Sequence, residues 1–259
     1  TFAGESSGGI SGGTLATAIG ALRGESKGQP GTAEAERRGV YALDPEGADG
    51  GPDKSEFVAP QYDARARSWH MPNVMAAVNG PVVRKSAALL RYASQPTGCA
   101  YSEVQAMPSR FAAYGGSAAL GLAGLCLATP PIRWLLFQLK VLPRPGEGPS
   151  QQTRDKGHFH TWVLGIGETA DDGSAELPMA IADVRSGTAG DPGYKATAQM
   201  AVESALCLAL ERSKCNLGGG VLTPAAALGS ALVDRLNRSG MELSAKVHRL
   251  DESEQPAAL

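Results

Sequence analysis

The feature that most constrains this chain is a long uncharged segment near its middle. No charged side chain lies between Arg110 and Arg133, a run of 22 residues rich in Ala, Leu and Gly. A transmembrane helix needs about 20 consecutive apolar residues, so the segment is long enough to span a bilayer. Its four glycines lower its mean hydropathy, however, and Pro130 and Pro131 interrupt it near its end. Length alone therefore does not fix its environment.

The residues after the two prolines favour a membrane interface. Residues 132–142 have an apolar helical pattern in which Trp134, Leu135 and Phe137 lie between two basic residues. Aromatic side chains beside basic ones are typical of the boundary between a bilayer and water. Three interpretations of residues 111–142 remain open: helices buried in the core, an apolar helical hairpin that docks on a membrane through these three side chains, or a true span.

Alternation of apolar and polar residues in the second half predicts strands. Residues 158–167 and 176–184 have strand patterns, and the Asp-Asp-Gly sequence at 171–173 predicts the turn of a hairpin between them. Residues 241–247 also alternate. Before them, Thr223 and Pro224 predict a helix start and Gly240 predicts its end.

Helical patterns occupy much of the remaining chain. A long helix is predicted over residues 193–214, and Ser11 is the predicted N-cap of a short helix over residues 14–23. Further predictions are a helical turn at 33–38, two helical pieces within 71–92 divided at Pro81, and a strand within 100–107. Roughly three or four strands among about six helices predict an α+β (mixed α/β) fold, in which helices cover one mixed sheet.

Composition excludes some classes of protein. Lys and Arg number 24 against 26 Asp and Glu, so no basic footprint for nucleic acid is present. Four cysteines in 259 residues do not make a disulfide framework, which favours a reducing, intracellular location, either cytoplasmic or membrane-associated. No signal-peptide pattern opens the chain. Its abrupt glycine-rich start leads us to expect a fragment or a processed product.

Two sequence motifs suggest a nucleotide site or a metal site, but each has a simpler explanation. Gly165, Gly167 and Ala170 match a dinucleotide fingerprint in spacing, but a turn and a strand follow where the motif needs a helix, so a hairpin is favoured. His158 and His160 share one face of a strand without further ligands at suitable spacing, so no metal site is predicted.

Two helix starts are candidate binding positions. Ser11, Gly12, Gly13 and Thr14 enter a helix from a glycine-rich loop, whose free N–H groups suit an anion or a carbonyl oxygen. Close backbone packing is the simpler explanation of these glycines and is favoured. Asp191 can cap the longest helix, which places Tyr194 and Lys195 in its first turn. A cation there opposes the helix dipole, which an anionic ligand or a nearby carboxylate would explain. The simpler alternatives are that Lys195 is exposed or that it forms a salt bridge with Asp183 or Glu203.

Several phrases together resemble one known family. They are SGGT at 11–14, MAAVNGPVVRKS at 75–86, LPRPGEGPS at 142–150, KGHF at 156–159, GDPGYKAT at 190–197 and GGVLTPA at 219–225. In this order they resemble the C-terminal part of the saccharopine dehydrogenase-like oxidoreductases, which include the mycobacterial trans-acting enoyl reductases. The family's upstream glycine-rich nucleotide motif has no match here.

The resemblance implies two domains, one for the cofactor and one for the substrate. Full members look like an N-terminal Rossmann domain followed by a substrate and dimerisation domain, and residues 1–250 resemble the second, with 251–259 as a polar tail. NAD(P) is therefore implied for the full-length protein, and we expect none to bind this chain alone. The implied substrate is a lipid or another enoyl or carbonyl compound. No residue of this chain is matched to a catalytic residue of the family, so the catalytic residues stay unknown.

The resemblance also implies partners and an alternative function. Within this chain we expect Ser11, Gly12, Gly13, Thr14, Tyr194 and Lys195 to face substrate or cofactor. Family members are associated with membranes and lipid droplets, which favours peripheral docking through Trp134, Leu135 and Phe137, and a homodimer is compatible with the dimerisation domain. The alternative is a non-catalytic membrane- or lipid-droplet-associated protein of the same fold.

Overall fold

Seven strands form one mixed sheet in the part of the chain that the structure describes. A computed structural model describes residues 1–8, 11–22, 32–45, 51–92, 99–167, 178–216 and 218–249. The strands are β1 (Phe2–Ser7), β2 (Gln61–Asp63), β3 (Ser68–Pro72), β4 (Val104–Met107), β5 (His158–Ile166), β6 (Pro178–Arg185) and β7 (Glu242–Arg249). Their order is β2-β3-β4-β1-β5-β6-β7. Among these pairs β1 and β4 run parallel and the others antiparallel.

Eight α-helices accompany the sheet within the same described ranges. They are α1 (Gly12–Leu22), α2 (Thr32–Arg38), α3 (Ala76–Leu90), α4 (Arg110–Ala128), α5 (Pro130–Gln138), α6 (Gln151–Lys156), α7 (Lys195–Leu210) and α8 (Pro224–Arg238). One mixed sheet with helices confirms the predicted α+β class. The predicted number of strands was too low, because β1, β2 and β3 were not foreseen.

The second half follows the sequence patterns closely. The predicted hairpin is present, since β5 and β6 pair in antiparallel register with Trp162 opposite Asp183. Thr223 caps α8 by accepting the N–H of Ala226, and Gly240 has φ +101°, a conformation that glycine adopts readily. The N–H of Met241 then bonds to the carbonyl oxygen of Leu236, which closes the helix end.

Helices α7 and α8 supply the core on one part of the sheet. Ala196, Leu236 and Met241 are buried together with Ala189, and Phe159 of β5 packs against them. A second cluster forms around β1, where the ring of Phe2 stacks on Trp162 with a centroid distance of 6.0 Å.

The prediction for residues 71–92 is wrong in two respects. The segment begins as β3, and α3 then continues through Pro81 as one helix instead of two. Pro81 lies in the second turn, where its missing N–H removes one intrahelical bond close to the helix start. The loss of this single bond lets the helix continue through the proline. At the preceding residue, Gly80, the absence of a Cβ leaves room for the carboxylate of Glu56 directly against the helix.

Other boundaries moved by a few residues. The strand predicted within 100–107 begins at Val104, and the helix predicted over 132–142 ends at Gln138. Helix α6 was not predicted. The turn at 171–173, Ala170 and the tail at 251–259 lie outside the described residues.

Candidate functional site

The two predicted binding segments are joined by a loop that lies elsewhere in the sequence. We call residues 11–14 the glycine loop, residues 143–150 the proline loop and residues 191–195 the DPGYK turn. The N–H of Gly12 donates to the carbonyl oxygen of Glu147 at 2.9 Å. Gly148 lies against the Tyr194 hydroxyl. The proline loop therefore joins the glycine loop to the DPGYK turn.

Close backbone approach explains glycines at this junction. A Cβ on Gly12 would overlap the carbonyl group of Arg144, and one on Gly157 would overlap Asp191. Gly8 faces the same Asp191, with 3.4 Å between its would-be Cβ and the Cβ of Asp191. Four phrases that carry the family resemblance thus converge at one place in the fold.

Ser11 caps α1, as predicted. Its hydroxyl oxygen accepts the N–H of Thr14 at 2.9 Å, and the two hydroxyls lie 2.9 Å apart. Gly12 is buried, whereas Gly13 and Thr14 are exposed. The first turn therefore uses part of its N–H groups on the protein itself, and Thr14 remains accessible to a ligand.

Asp191 caps α7 from a fully buried position. Its two carboxylate oxygens accept the N–H groups of Gly193, Tyr194 and Lys195 at 3.0 to 3.1 Å. Its own N–H donates to the carbonyl oxygen of Arg154 at 3.0 Å. Hydrogen bonds from three orphan N–H groups offset the cost of burying the carboxylate.

Lys195 is exposed, as one alternative predicted, and it has a carboxylate partner that differs from those expected. Its ammonium nitrogen lies 2.9 Å from an oxygen of Asp155. The predicted partners are engaged elsewhere: Asp183 binds His160 and Arg185, and Glu203 binds Arg235. The prediction of Asp183 or Glu203 is wrong because sequence spacing does not reveal that α6 packs beside the start of α7.

The junction presents polar donors at its surface. Tyr194 is half-buried, and its ring lies 5.7 Å from the guanidinium carbon of Arg154. Hydroxyls of Ser11 and Thr14, the Tyr194 phenol and the Lys195 ammonium can donate hydrogen bonds to a polar ligand. These groups suit recognition of an oxygen-rich or anionic group.

The two histidines of β5 do not form part of a metal-binding group. Within the described ranges no group of three or more His, Cys, Asp or Glu side chains is arranged to hold a metal ion. His158 is exposed, and Nε2 of His160 lies 2.9 Å from Asp183. The Asp183 carboxyl also accepts hydrogen bonds from Arg185. Although partial burial opposes the shift, the hydrogen bonds from Arg185 and His160 lower its pKa.

A buried ionic cluster was missed by sequence reasoning. The Arg84 side chain is 1% exposed, and its guanidinium binds the carboxylates of Asp53 and Glu56. It also donates to the carbonyl oxygen of Tyr101 at 2.9 Å and lies 5.4 Å from the ring centroid of Tyr41. These partners are scattered over 60 residues, and no local pattern signals their assembly.

A second buried carboxylate lies beside this cluster. Glu103 accepts hydrogen bonds from the side-chain amides of Asn73 and Asn79 and from the Tyr101 hydroxyl. Burial, the largest influence, raises the pKa of the Tyr101 phenol. Through Arg84 and the N–H of Tyr101, which donates to Asp53, the cluster attaches residues 53–56 to α3 and to the residues just before β4.

The segment predicted as an apolar hairpin forms α4 and α5. The described structure buries Ala113 of α4 and no residue of α5, so the interpretation as buried core helices is wrong for the described residues. Helix α4 is long and apolar enough to cross a membrane. Trp134 and Leu135 are exposed, whereas Phe137 is half-buried.

Curated relatives share a common name. A protein of Mycobacterium tuberculosis strain H37Rv is 35% identical over 255 residues, covering 91% of this chain and 56% of the relative. A protein of Mycobacterium ulcerans is 35% identical over 185 residues (68% and 41%), and one of Mycobacterium bovis BCG is 33% identical over 183 residues (67% and 40%). All three are named trans-acting enoyl reductase.

The chain is a homologue of curated proteins that are named trans-acting enoyl reductase. It spans about half the length of the curated relatives that it matches, an extent consistent with a C-terminal part. No protein-family model matches the chain, and no solved structure matches it significantly.

The described part of this trans-acting enoyl reductase homologue does not fit a dinucleotide cradle. Gly165 lies in strand β5, which pairs antiparallel with β6, the next strand described, whereas the fingerprint belongs to a parallel strand followed by a helix. In α1 the N–H groups of Gly12 and Thr14 are already bonded to Glu147 and Ser11. A pyrophosphate needs free N–H groups at a helix start. We therefore assign these residues no step that involves NAD(P).

Proposed function

We propose that this chain is the substrate-binding part of an NAD(P)-dependent oxidoreductase that reduces enoyl or carbonyl groups in lipid or glycolipid metabolism. The shared name of the relatives supports an oxidoreductase-like role. The observation that carries the proposal for this chain is the junction of the glycine loop, the proline loop and the DPGYK turn.

The junction offers what a polar lipid head or acyl carbonyl requires. Ser11, Thr14 and Tyr194 supply hydroxyl donors, and Lys195 supplies a cation whose carboxylate partner, Asp155, is itself half-exposed. Helix α1, whose first turn carries Thr14, also contacts the apolar helix α4. Under this proposal NAD(P) binds in the part of the whole protein that this chain does not span.

The first test compares two protein lengths. The DNA preceding the codon for Thr1 is read for a strand, a glycine-rich turn and a helix, and the longer product is purified beside residues 1–259. We expect saturable NADPH binding by the longer product and none by residues 1–259. We also expect the longer product to oxidise NADPH in the presence of a long-chain 2-enoyl thioester.

A variant pair then tests the junction itself. In the longer product Tyr194→Phe should raise KM for the enoyl thioester several-fold, because one hydroxyl donor is lost. Tyr92→Phe, at an exposed tyrosine just after α3, is the matched control and should leave KM unchanged. Absence of upstream nucleotide-binding sequence, or saturable NADPH binding by residues 1–259 alone, would overturn the proposal.

One observation favours a second, compatible function, which is docking on a membrane or lipid-droplet surface. Large apolar side chains of α4, α5 and the next residues are exposed, including Phe111 at 88%, Leu125 at 63% and Trp134 at 63%. Soluble proteins rarely expose a contiguous apolar surface of this kind without a partner.

The charge pattern selects an anionic lipid surface as that partner. No Asp or Glu lies between Glu103 and Glu147, whereas Arg110, Arg133 and Lys140 accompany the apolar residues. Basic side chains near a bilayer are attracted by anionic lipids at about 1 kcal/mol each. On this alternative the chain is a peripheral membrane or lipid-droplet protein, with or without catalysis.

Vesicle flotation tests the docking function. We expect the chain to float with vesicles containing phosphatidylglycerol, and to float less with pure phosphatidylcholine. The double variant Trp134→Ser and Leu135→Ser should lose flotation. Leu210→Ser with Val221→Ser removes exposed apolar side chains elsewhere and should retain it. Equal flotation of both double variants would contradict docking through α5. Repeating the flotation with an emulsion of triacylglycerol shows whether the chain binds lipid droplets, bilayers or both.

A further inference from the structure

Two cysteine sulfurs lie in contact at the end of α7. The Sγ atoms of Cys207 and Cys215 are 3.6 Å apart, and both thiols are free. Cys207 is fully buried in the last turns of α7, against Leu228 and Ala231 of α8. Cys215 follows the short 3-10 turn Arg212–Lys214 and is half-buried.

The segment between the two cysteines is held in place. The N–H of Glu211 donates to the carbonyl oxygen of Cys207 at 2.9 Å, and the N–H of Cys215 donates to that of Arg212 at 3.2 Å. The Glu211 carboxylate binds Lys214 and, across to α8, Arg235. The sulfurs are therefore kept together by the fold on both sides.

We propose that Cys207 and Cys215 are a redox-modification site, at which a hydroperoxide forms a reversible disulfide between the end of α7 and the residue after the 3-10 turn. Joining the sulfurs requires them to approach from 3.6 Å to the S–S bond length of about 2.05 Å, a shift that side-chain rotation and a small backbone adjustment supply. This proposal is independent of the reductase function.

Exposure assigns the order of events. The Cys215 thiolate, on the accessible side, attacks one peroxide oxygen, the O–O bond breaks, and a sulfenic acid forms with loss of water or an alcohol. The Cys207 thiolate then attacks the sulfenic sulfur, the S–O bond breaks, and water leaves. The two thiols together lose two electrons and two protons, and the hydroperoxide accepts both.

The surroundings predict a pH dependence. Burial, as the largest influence, and the hydrogen bond with Cys215 raise the pKa of the Cys207 thiol. Among the described residues, the acidic Glu211 and the basic Arg235 of α8 are the charged side chains that act on Cys207. The thiolate is the attacking species, so the disulfide should form several-fold faster at pH 8.5 than at pH 7.

Peptide mapping tests the proposal with natural cleavage sites. Trypsin cuts after Arg212 and Lys214, between the two cysteines. After treatment with hydrogen peroxide we expect a loss of two free thiols and a non-reduced digest in which residues 196–212 are linked to residues 215–235. Dithiothreitol should separate the two peptides and restore both thiols.

Two variants and a second measurement keep the result interpretable. Cys215→Ser should abolish the linked peptide, whereas Cys126→Ser, at another half-buried cysteine, should retain it. The oxidised chain should unfold about 5 to 10 °C higher than the reduced chain, because the bond closes a short loop. Oxidation of Cys215 to sulfinic acid without the linked peptide, or links only between separate molecules, would overturn the proposal.

Discussion

The N–H of Gly12 donates a 2.9 Å hydrogen bond to the carbonyl oxygen of Glu147, which attaches the start of α1 to the proline loop through backbone atoms. A Cβ at position 12 would overlap the carbonyl group of Arg144, and backbone atoms cannot rotate away. We expect Gly12→Ala to lower the free energy of unfolding by about 2 kcal/mol, the range seen for overpacking. Urea denaturation measures the change.

The neighbouring glycine is the matched control. A Cβ at position 13 would meet only the Ser11 hydroxyl, at an ordinary 3.6 Å. Gly13→Ala should therefore be neutral or stabilising by up to about 1 kcal/mol, because alanine favours the helix. Equal losses in the two variants would show that the contact with Arg144 is not the cause.

Asp191→Ala should be more harmful than loss of the nearby ion pair. The buried carboxylate accepts three N–H groups at the start of α7, and its removal leaves them without partners. We expect a loss of about 2 to 3 kcal/mol in thermal or urea unfolding. Asp155→Asn breaks only the half-exposed pair with Lys195 and should cost at most about 1 kcal/mol.

Arg84→Met should be among the most destabilising changes in the described structure. It leaves the carboxylates of Asp53 and Glu56 buried without their cation, at an expected cost of about 3 to 5 kcal/mol. Adding Asp53→Asn and Glu56→Gln removes the unpaired charges, so the triple variant should regain part of the loss. A triple variant less stable than Arg84→Met would contradict this explanation in equilibrium urea unfolding.

Glu211 gives the chain a predicted acid sensitivity. Hydrogen bonds from Lys214 and Arg235 lower its pKa from an ordinary value near 4.5 to about 2. The folded pKa is the lower one, so this contribution is complete above pH 4.5 and is lost as the pH falls toward 2. In Glu211→Gln, the midpoint temperature of thermal unfolding should therefore change less with pH across that interval. An unchanged pH profile would count against the ion pairs.

Local signals in the sequence foretold the second half of the fold. The cap at Thr223, the helix end at Gly240 and the alternation of β5 and β7 each depend on neighbours in sequence, which is why they were predictable. β1 was missed because FAGESS has no clear alternation, yet pairing with β4 and β5 on both sides fixes it as a strand.

Periodicity identified α7 without revealing which side is covered. The stripe through Ala198, Val202 and Leu208 has helical spacing, but these residues are exposed, and Ala196 and Cys207 are buried instead. The helix has apolar residues on more than one side, so spacing alone cannot select the packed one. The Arg84 cluster and the pair of Lys195 with Asp155 were unpredictable because each depends on contacts between distant segments.

The central position of β1 has a mechanical consequence. Strands β2, β3 and β4 on one side and β5, β6 and β7 on the other share hydrogen bonds in the described sheet only through these six residues. The sheet thus consists of two three-stranded halves that are joined by β1 alone. Removing β1 by force would separate the two halves at once, so mechanical unfolding by a pull on β1 should occur in a single event.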